Sequence, residues 1–121
     1  MTVPAISAKH FIDRLVAAVP EFAEAYKEEL EEIANGLPYV VAGFLTTFIV
    51  DEYKQGRTAT DSPFTRALFF LEEAITADDA EVQNIVETGV LENLHIAQDS
   101  LDGITAKMGN ALKTALANLR W

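Results

Sequence analysis

The stretch LPYVVAGFLTTFIV, residues 37–50, decides the fold. Its valines, phenylalanines, isoleucine and threonines favour a strand on propensity alone. Its period does not. The apolar pairs Val40/Val41, Phe44/Leu45 and Phe48/Ile49 recur every four residues, with Ala42/Gly43 and Thr46/Thr47 between them, which is one face of a helix and not alternation in twos. Pro38 suits a first helical turn, and Gly56, after the polar DEYKQ, suits a C-terminal stop. At 14 residues the stretch is shorter than the roughly 20 that cross a bilayer, so it reads as a buried core helix.

The same signals extend outward. Phe11, Leu15 and Val19 line a helix ending before Pro20; Phe22, Tyr26, Leu30 and Ile33 line a second that runs from Pro20 to Asn35-Gly36. In DSPF, Ser62 is placed to cap and Pro63 to start a helix carrying Phe64, Leu68, Leu71 and Ile75. Asp78 and Glu81 have capping-box spacing ahead of Val82, Ile85 and Val86. Gly89 is expected to break or bend the chain, and Val90, Leu91, Leu94, Ala97 and Leu101 continue beyond it. After Gly103, a last stripe follows in Ile104, Met108, Leu112, Ala115 and Leu119. With no hairpin signal, the spacing predicts an all-α fold: one compact domain over residues 1–121, with six or seven short helices packed as antiparallel pairs.

Composition narrows the function. A chain of 121 residues, half of them hydrophobic, supports one core and not two. The absence of cysteine excludes disulfides, thiol catalysis and thiolate zinc sites. MTVPAISAKHF, the first residues, shows no apolar segment behind a basic start, so the expectation is a cytoplasmic protein with no secretory signal and no membrane contact. A formal charge of −10 argues against nucleic acid as a direct ligand, since phosphate neutralisation needs a basic stripe, and favours a basic protein partner.

The motif closest to catalytic chemistry is ENLH, Glu92 and His95 at i and i+3. Di-iron bundles use that pair twice, with two more glutamates, all facing inward. Here His10 follows Ser7 at the corresponding spacing, so the second copy is missing. On a regular helix Glu92, His95, Asp99 and Asp102 fall opposite Val90, Leu94, Ala97 and Leu101, and so point outward. No serine has a base in a recognisable elbow, and no Gly-rich phosphate loop occurs. Adjacent Glu72 and Glu73 point about 100° apart and read as solvated. No enzyme, metal or cofactor is therefore expected.

Charge is unevenly distributed. Residues 67–106 hold nine acids and no lysine or arginine; residues 21–32 hold six acids against Lys27; residues 103–121 hold Lys107, Lys113 and Arg120 with no acid. Acids at helix starts complement the macrodipole, which accounts for Glu21, Asp78 and Asp79. Glu87, Glu92, Asp99 and Asp102 read as mid-helix or late, where the dipole offers nothing. Phe69 and Phe70 cannot face one core: either their helix is buried on more than one side, or an apolar anchor sits in a charged rim, as it does at protein interfaces. Ile96 lies beside the acidic row in the same way. The candidate partner-binding residues are Asp79, Glu87, Glu92, His95, Ile96, Asp99 and Asp102.

In RALFFLEEAI and VQNIVETGVLENL, the residues Phe69-Phe70-Leu71-Glu72, Val82, Asn84, Ile85 and Gly89-Val90-Leu91-Glu92 carry a resemblance. The chain resembles small all-helical bacterial immunity proteins found near polymorphic toxins. That resemblance implies a non-catalytic inhibitor of a cognate toxin in the bacterial cytoplasm, and it transfers no binding residue. The expectation is an immunity protein that covers a basic toxin domain, a nuclease or other nucleotide-targeting enzyme, with an acidic helical surface. The alternative is a helical adaptor or scaffold for another protein; a metal-dependent enzyme would need the second Glu-x-x-His pair that the chain lacks.

Overall fold

The decisive stretch is helical. In the computed structural model it forms the body of α4 (Pro38–Lys54), whose residues Val41, Ala42, Leu45, Phe48, Ile49 and Val50 are buried. The structure describes residues 10–33, 38–77 and 79–119, apart from the side chains of Ile33, His95, Ile96 and Gln98. Before α4 come α1 (Phe11–Ala18), α2 (Pro20–Ala25) and α3 (Lys27–Ile33). After it come α5 (Pro63–Ile75), α6 (Ala80–Asn84), a π-helix (Ile85–Leu91), α7 (Glu92–Ile96), α8 (Gln98–Ala106) and α9 (Asn110–Asn118). No strand occurs among the described residues, and the helices close on one core: the fold is all-α, in a compact single domain. None of the described helices is long and apolar enough to cross a membrane.

α4 is central because its sequence leaves it apolar on more than one side. It packs against the π-helix, α5, α7, α8 and α1, while α5 bridges from α1 to α9. Its end follows the glycine signal. Gly56 has φ +75°, its N–H donates to the Tyr53 carbonyl, and the Arg57 N–H donates to the Glu52 carbonyl, both at 3.0 Å. This pair of bonds is a Schellman stop. The Arg57 side chain then returns to the buried Glu52 carboxylate, with Nε 2.6 Å from Oε2.

α5 starts as the sequence predicts: Ser62 Oγ accepts from the Thr65 N–H at 3.2 Å, and Pro63 takes the first helical position. Its residue Arg66 ties down the corner between α1 and α2. One guanidinium nitrogen donates to the Ala18 carbonyl at 3.4 Å, and another pairs with Glu21. A cation at the end of α1 and an anion at the start of α2 each suit the local helix dipole.

Elsewhere the chain is cut more finely than six or seven helices. The expected second helix breaks at Tyr26 (φ −116°, ψ 26°), whose ring stacks on Phe44 at 5.4 Å; Asn35-Gly36 lies outside the described residues. The cap of α6 is Asp79, which accepts from the N–H groups of Glu81 (2.9 Å) and Val82 (3.2 Å); Asp78, the expected cap, lies outside the described residues. Gly89 does not break the chain. It sits buried inside the π-helix, where a Cβ would come within 2.5 Å of the Ala42 Cβ, so it lets two backbones approach closely.

Gly103 likewise lies within α8, its Cα against the Tyr53 ring, and the chain turns at Gly109 instead. That turn explains Glu72. Far from serving only as a solvated residue, its carboxylate accepts the N–H groups of Ala111 and Leu112, both at 2.9 Å, and so caps α9 from a different helix. A Cβ on Gly109 would lie 2.6 Å from that carboxyl carbon, so a larger residue there would push the capping carboxylate aside.

Candidate functional site

The predicted acidic row divides into three environments. Asp79 is half-buried and committed to its own helix by the two cap bonds. Glu87, half-buried, lies in the π-helix, where the Glu92 N–H donates to the Glu87 carbonyl five residues back. Glu92, Asp99 and Asp102 are exposed. The row is not continuous, because the helix breaks at Ala97 (φ −85°, ψ 56°) between Glu92 and Asp99. Asp99 consequently lies in the first turn of α8 rather than mid-helix, where its charge does complement a dipole. Glu92 and Asp102 have no such explanation: Glu92 continues a helical run from Ala80, and Asp102 is midway along α8. The side chains of His95 and Ile96 lie outside the described residues.

Two cations, Arg57 and Arg66, form ion pairs with Glu52 and Glu21, away from this row. A second acidic surface covers α2 and α3, where Glu24, Glu28, Glu29, Glu31 and Glu32 are all exposed. Its neighbour Tyr26 has its phenol pushed up in pKa by burial first and by Asp51 and Glu29 next. Among the described residues, no group of three or more His, Asp or Glu side chains is arranged to hold a metal ion.

Concavities were beyond the reach of sequence reasoning. One, of about 420 Å³, runs between α1 and α5 and is lined by Arg14, Ala17, Ala18, Thr65, Phe69 and Glu73. It resolves the adjacent phenylalanines: Phe70 is buried with its ring edge-on to Phe11 at 5.4 Å, and Phe69 is 66% exposed at the groove. Another, of about 400 Å³, lies between α4 and the α7–α8 corner and includes Asp51 and Asn93. Neither residue stood out in sequence, since each is one polar residue on a helix whose partner face is set by tertiary packing.

The residues that carry the immunity-protein resemblance mostly maintain the fold. Leu71, Val82, Ile85, Val90 and Leu91 are core, Glu72 is a cap, and Gly89 is a close approach. Asn84 donates to the Tyr39 hydroxyl at 2.7 Å, and that hydroxyl donates to Glu81 at 3.1 Å. Of the set, Phe69, Asn84 and Glu92 are exposed.

Fold and surface together define a small all-α domain with charged, exposed helical faces. The chain belongs to the family described as a domain of unknown function, DUF7674, whose model matches residues 12–121. No curated protein and no solved structure gives a significant match.

Proposed function

We propose that this domain is a non-catalytic inhibitor of a basic protein, acting as an immunity protein against a cognate toxin domain in the bacterial cytoplasm. The observation that carries the reading is the exposure of Glu92, Asp99 and Asp102 on a stretch that contains no lysine or arginine from residue 67 to residue 106. Like charges held close together cost stability, and Glu92 and Asp102 gain nothing from a helix start in return. A cleft built for phosphate would accept such fixed carboxylates, with association accelerated by electrostatic steering. The target class is a nuclease or other nucleotide-targeting enzyme. The exposed Phe69 groove favours the second reading, an adaptor for a different protein partner, because it offers an apolar anchor on a face less acidic than the rest.

The test compares Glu92→Lys/Asp99→Lys with Glu28→Lys/Glu31→Lys in capture from the native host and in inhibition of the captured enzyme. Wild type should retain one stoichiometric basic enzyme and suppress its activity. The Glu92/Asp99 reversal should leave the fold intact, as exposed substitutions generally do within about 0.5 kcal/mol. It should also slow association and flatten its salt dependence. If only the Glu28/Glu31 reversal does so, the wrong face has been assigned; if neither does, the inhibitor mechanism is wrong.

A further inference from the structure

The concavity between α4 and the α7–α8 corner has a lining that is chemically one-sided. Thr46, buried at 5% exposure, donates its hydroxyl hydrogen to the carbonyls of Ala42 (2.9 Å) and Gly89 (3.2 Å). Thr47 donates to the Gly43 carbonyl at 3.3 Å, and the Asn93 amide nitrogen donates to the Gly89 carbonyl at 2.7 Å. The hydroxyl hydrogens of both threonines, and one of the two on the Asn93 amide, are thus spent on the backbone. What these side chains have left for a ligand is mainly acceptor capacity: the hydroxyl lone pairs and the Asn93 carbonyl oxygen. Asp51, exposed at the same concavity, adds a carboxylate. Arg57, which feels Asp51 electrostatically, has its guanidinium bonded to Glu52.

Gly43, Val50 and Ala97 supply the remaining wall, which is apolar and able to cover a methylene stem. A volume of about 400 Å³ is ample for one long side chain. Asp51 and Asn93 are both exposed, so the lining is reachable from solvent.

We infer that this concavity is a receptor for an arginine side chain of the basic partner. A guanidinium has five donors and no acceptor, matching an acceptor-rich lining with one carboxylate, and its planar fork discriminates it from the point charge of a lysine. The inference rests on the proposed inhibitor reading for the identity of the partner, but the pocket itself can be tested without one.

The experiment titrates the full chain with N-acetyl-arginine amide, and in parallel with N-acetyl-lysine amide, while following backbone and Asn93 side-chain amide resonances. The arginine derivative should give saturable shifts confined to residues around Gly43, Thr47, Asp51, Asn93 and Ala97, and the lysine derivative a weaker response. Asp51→Asn should weaken the arginine response at least about tenfold, the order expected for losing a charge-assisted bond. Gly43→Leu, which fills the concavity from a position where even a Cβ meets Asn93 only at 3.9 Å, should abolish it while the melting curve stays cooperative. Equal shifts for both compounds, shifts spread over Glu28, Glu31, Glu92 and Asp102 instead, or indifference to Asp51→Asn would each overturn the assignment. Arginine binding that survives while the Glu92/Asp99 reversal has no effect on any partner would keep the pocket and discard the inhibitor reading.

Discussion

At the scale of single residues, two contacts carry consequences that can be measured. Gly89 and Ala42 meet where a Cβ on Gly89 would lie 2.5 Å from that of Ala42, with the Tyr39 carbonyl at 3.5 Å. Neither neighbour can rotate away, because one is attached directly to the backbone and the other belongs to it. Gly89→Ala should therefore destabilise by about 1–3 kcal/mol as an overpacking change. Adding Ala42→Gly should recover part of that loss, despite its own helix-propensity cost of about 1 kcal/mol. A double-mutant cycle in urea with no coupling would refute the close approach. Glu21 shows the second contact. The hydrogen bond from Arg66 holds its carboxyl below the usual carboxylate range. A depressed folded-state pKa means that stability is present above the unfolded value and is lost as pH falls through the folded one. Wild type and Glu21→Gln should differ by a small, solvent-screened amount near neutrality. The gap should close in acid once Glu21 is protonated; a gap that widens in acid would reverse the sign argued here.

At the scale of elements, local pattern was a good guide wherever the cause was local. The four-residue recurrence identified α4 although its residues prefer strands, and DSPF and Gly56 marked real boundaries because a cap and a glycine stop act within one turn. The pattern misled where the cause lay elsewhere in the chain. Gly103 lies inside α8, where the Tyr53 ring fills the space of its missing side chain, and α9 begins at Asn110, where Glu72, 39 residues from Ala111, receives its first N–H groups. The stripe from Ile104 to Leu119 therefore spans two helices that read as one. Among the candidate site residues, exposure of Glu92, Asp99 and Asp102 was legible from helical phase, but the break at Ala97 that splits their row was not, since no Gly or Pro marks it. The Glu72 cap yields a directed prediction. Glu72→Ala should cost about 0.5–2 kcal/mol. It should also lower hydrogen-exchange protection at Ala111 and Leu112 before it affects α4; uniform loss of protection across the domain would show that α9 does not open on its own.

At the scale of the whole molecule, nineteen acids against nine lysines and arginines make self-repulsion the dominant long-range force. Raising ionic strength from about 10 mM to about 150 mM shortens the screening length from about 30 Å to about 8 Å. The unfolding midpoint should then rise by about 4 °C for each kcal/mol of repulsion relieved, the value between those of smaller and larger domains. Thermal melts in which salt lowers the midpoint would mean that the described ion pairs outweigh the repulsion between the acidic faces of α3 and α8.

The π-helix sets a rule for inheritance. Its wider turn holds a residue more than an α-helix would fit in the same rise, so everything from Glu92 onward is set about one residue, or about 100°, out of the phase of α6. Removing a single residue between Ile85 and Leu91 would restore an ordinary helix and leave Leu91 and Leu94 facing the core, because the widened turn is what absorbs that residue. Within the family, then, a one-residue gap between Val82 and Leu94 should fall inside the π-helix, where an ordinary helical turn replaces the wide one, and not in the helical segments on either side of it.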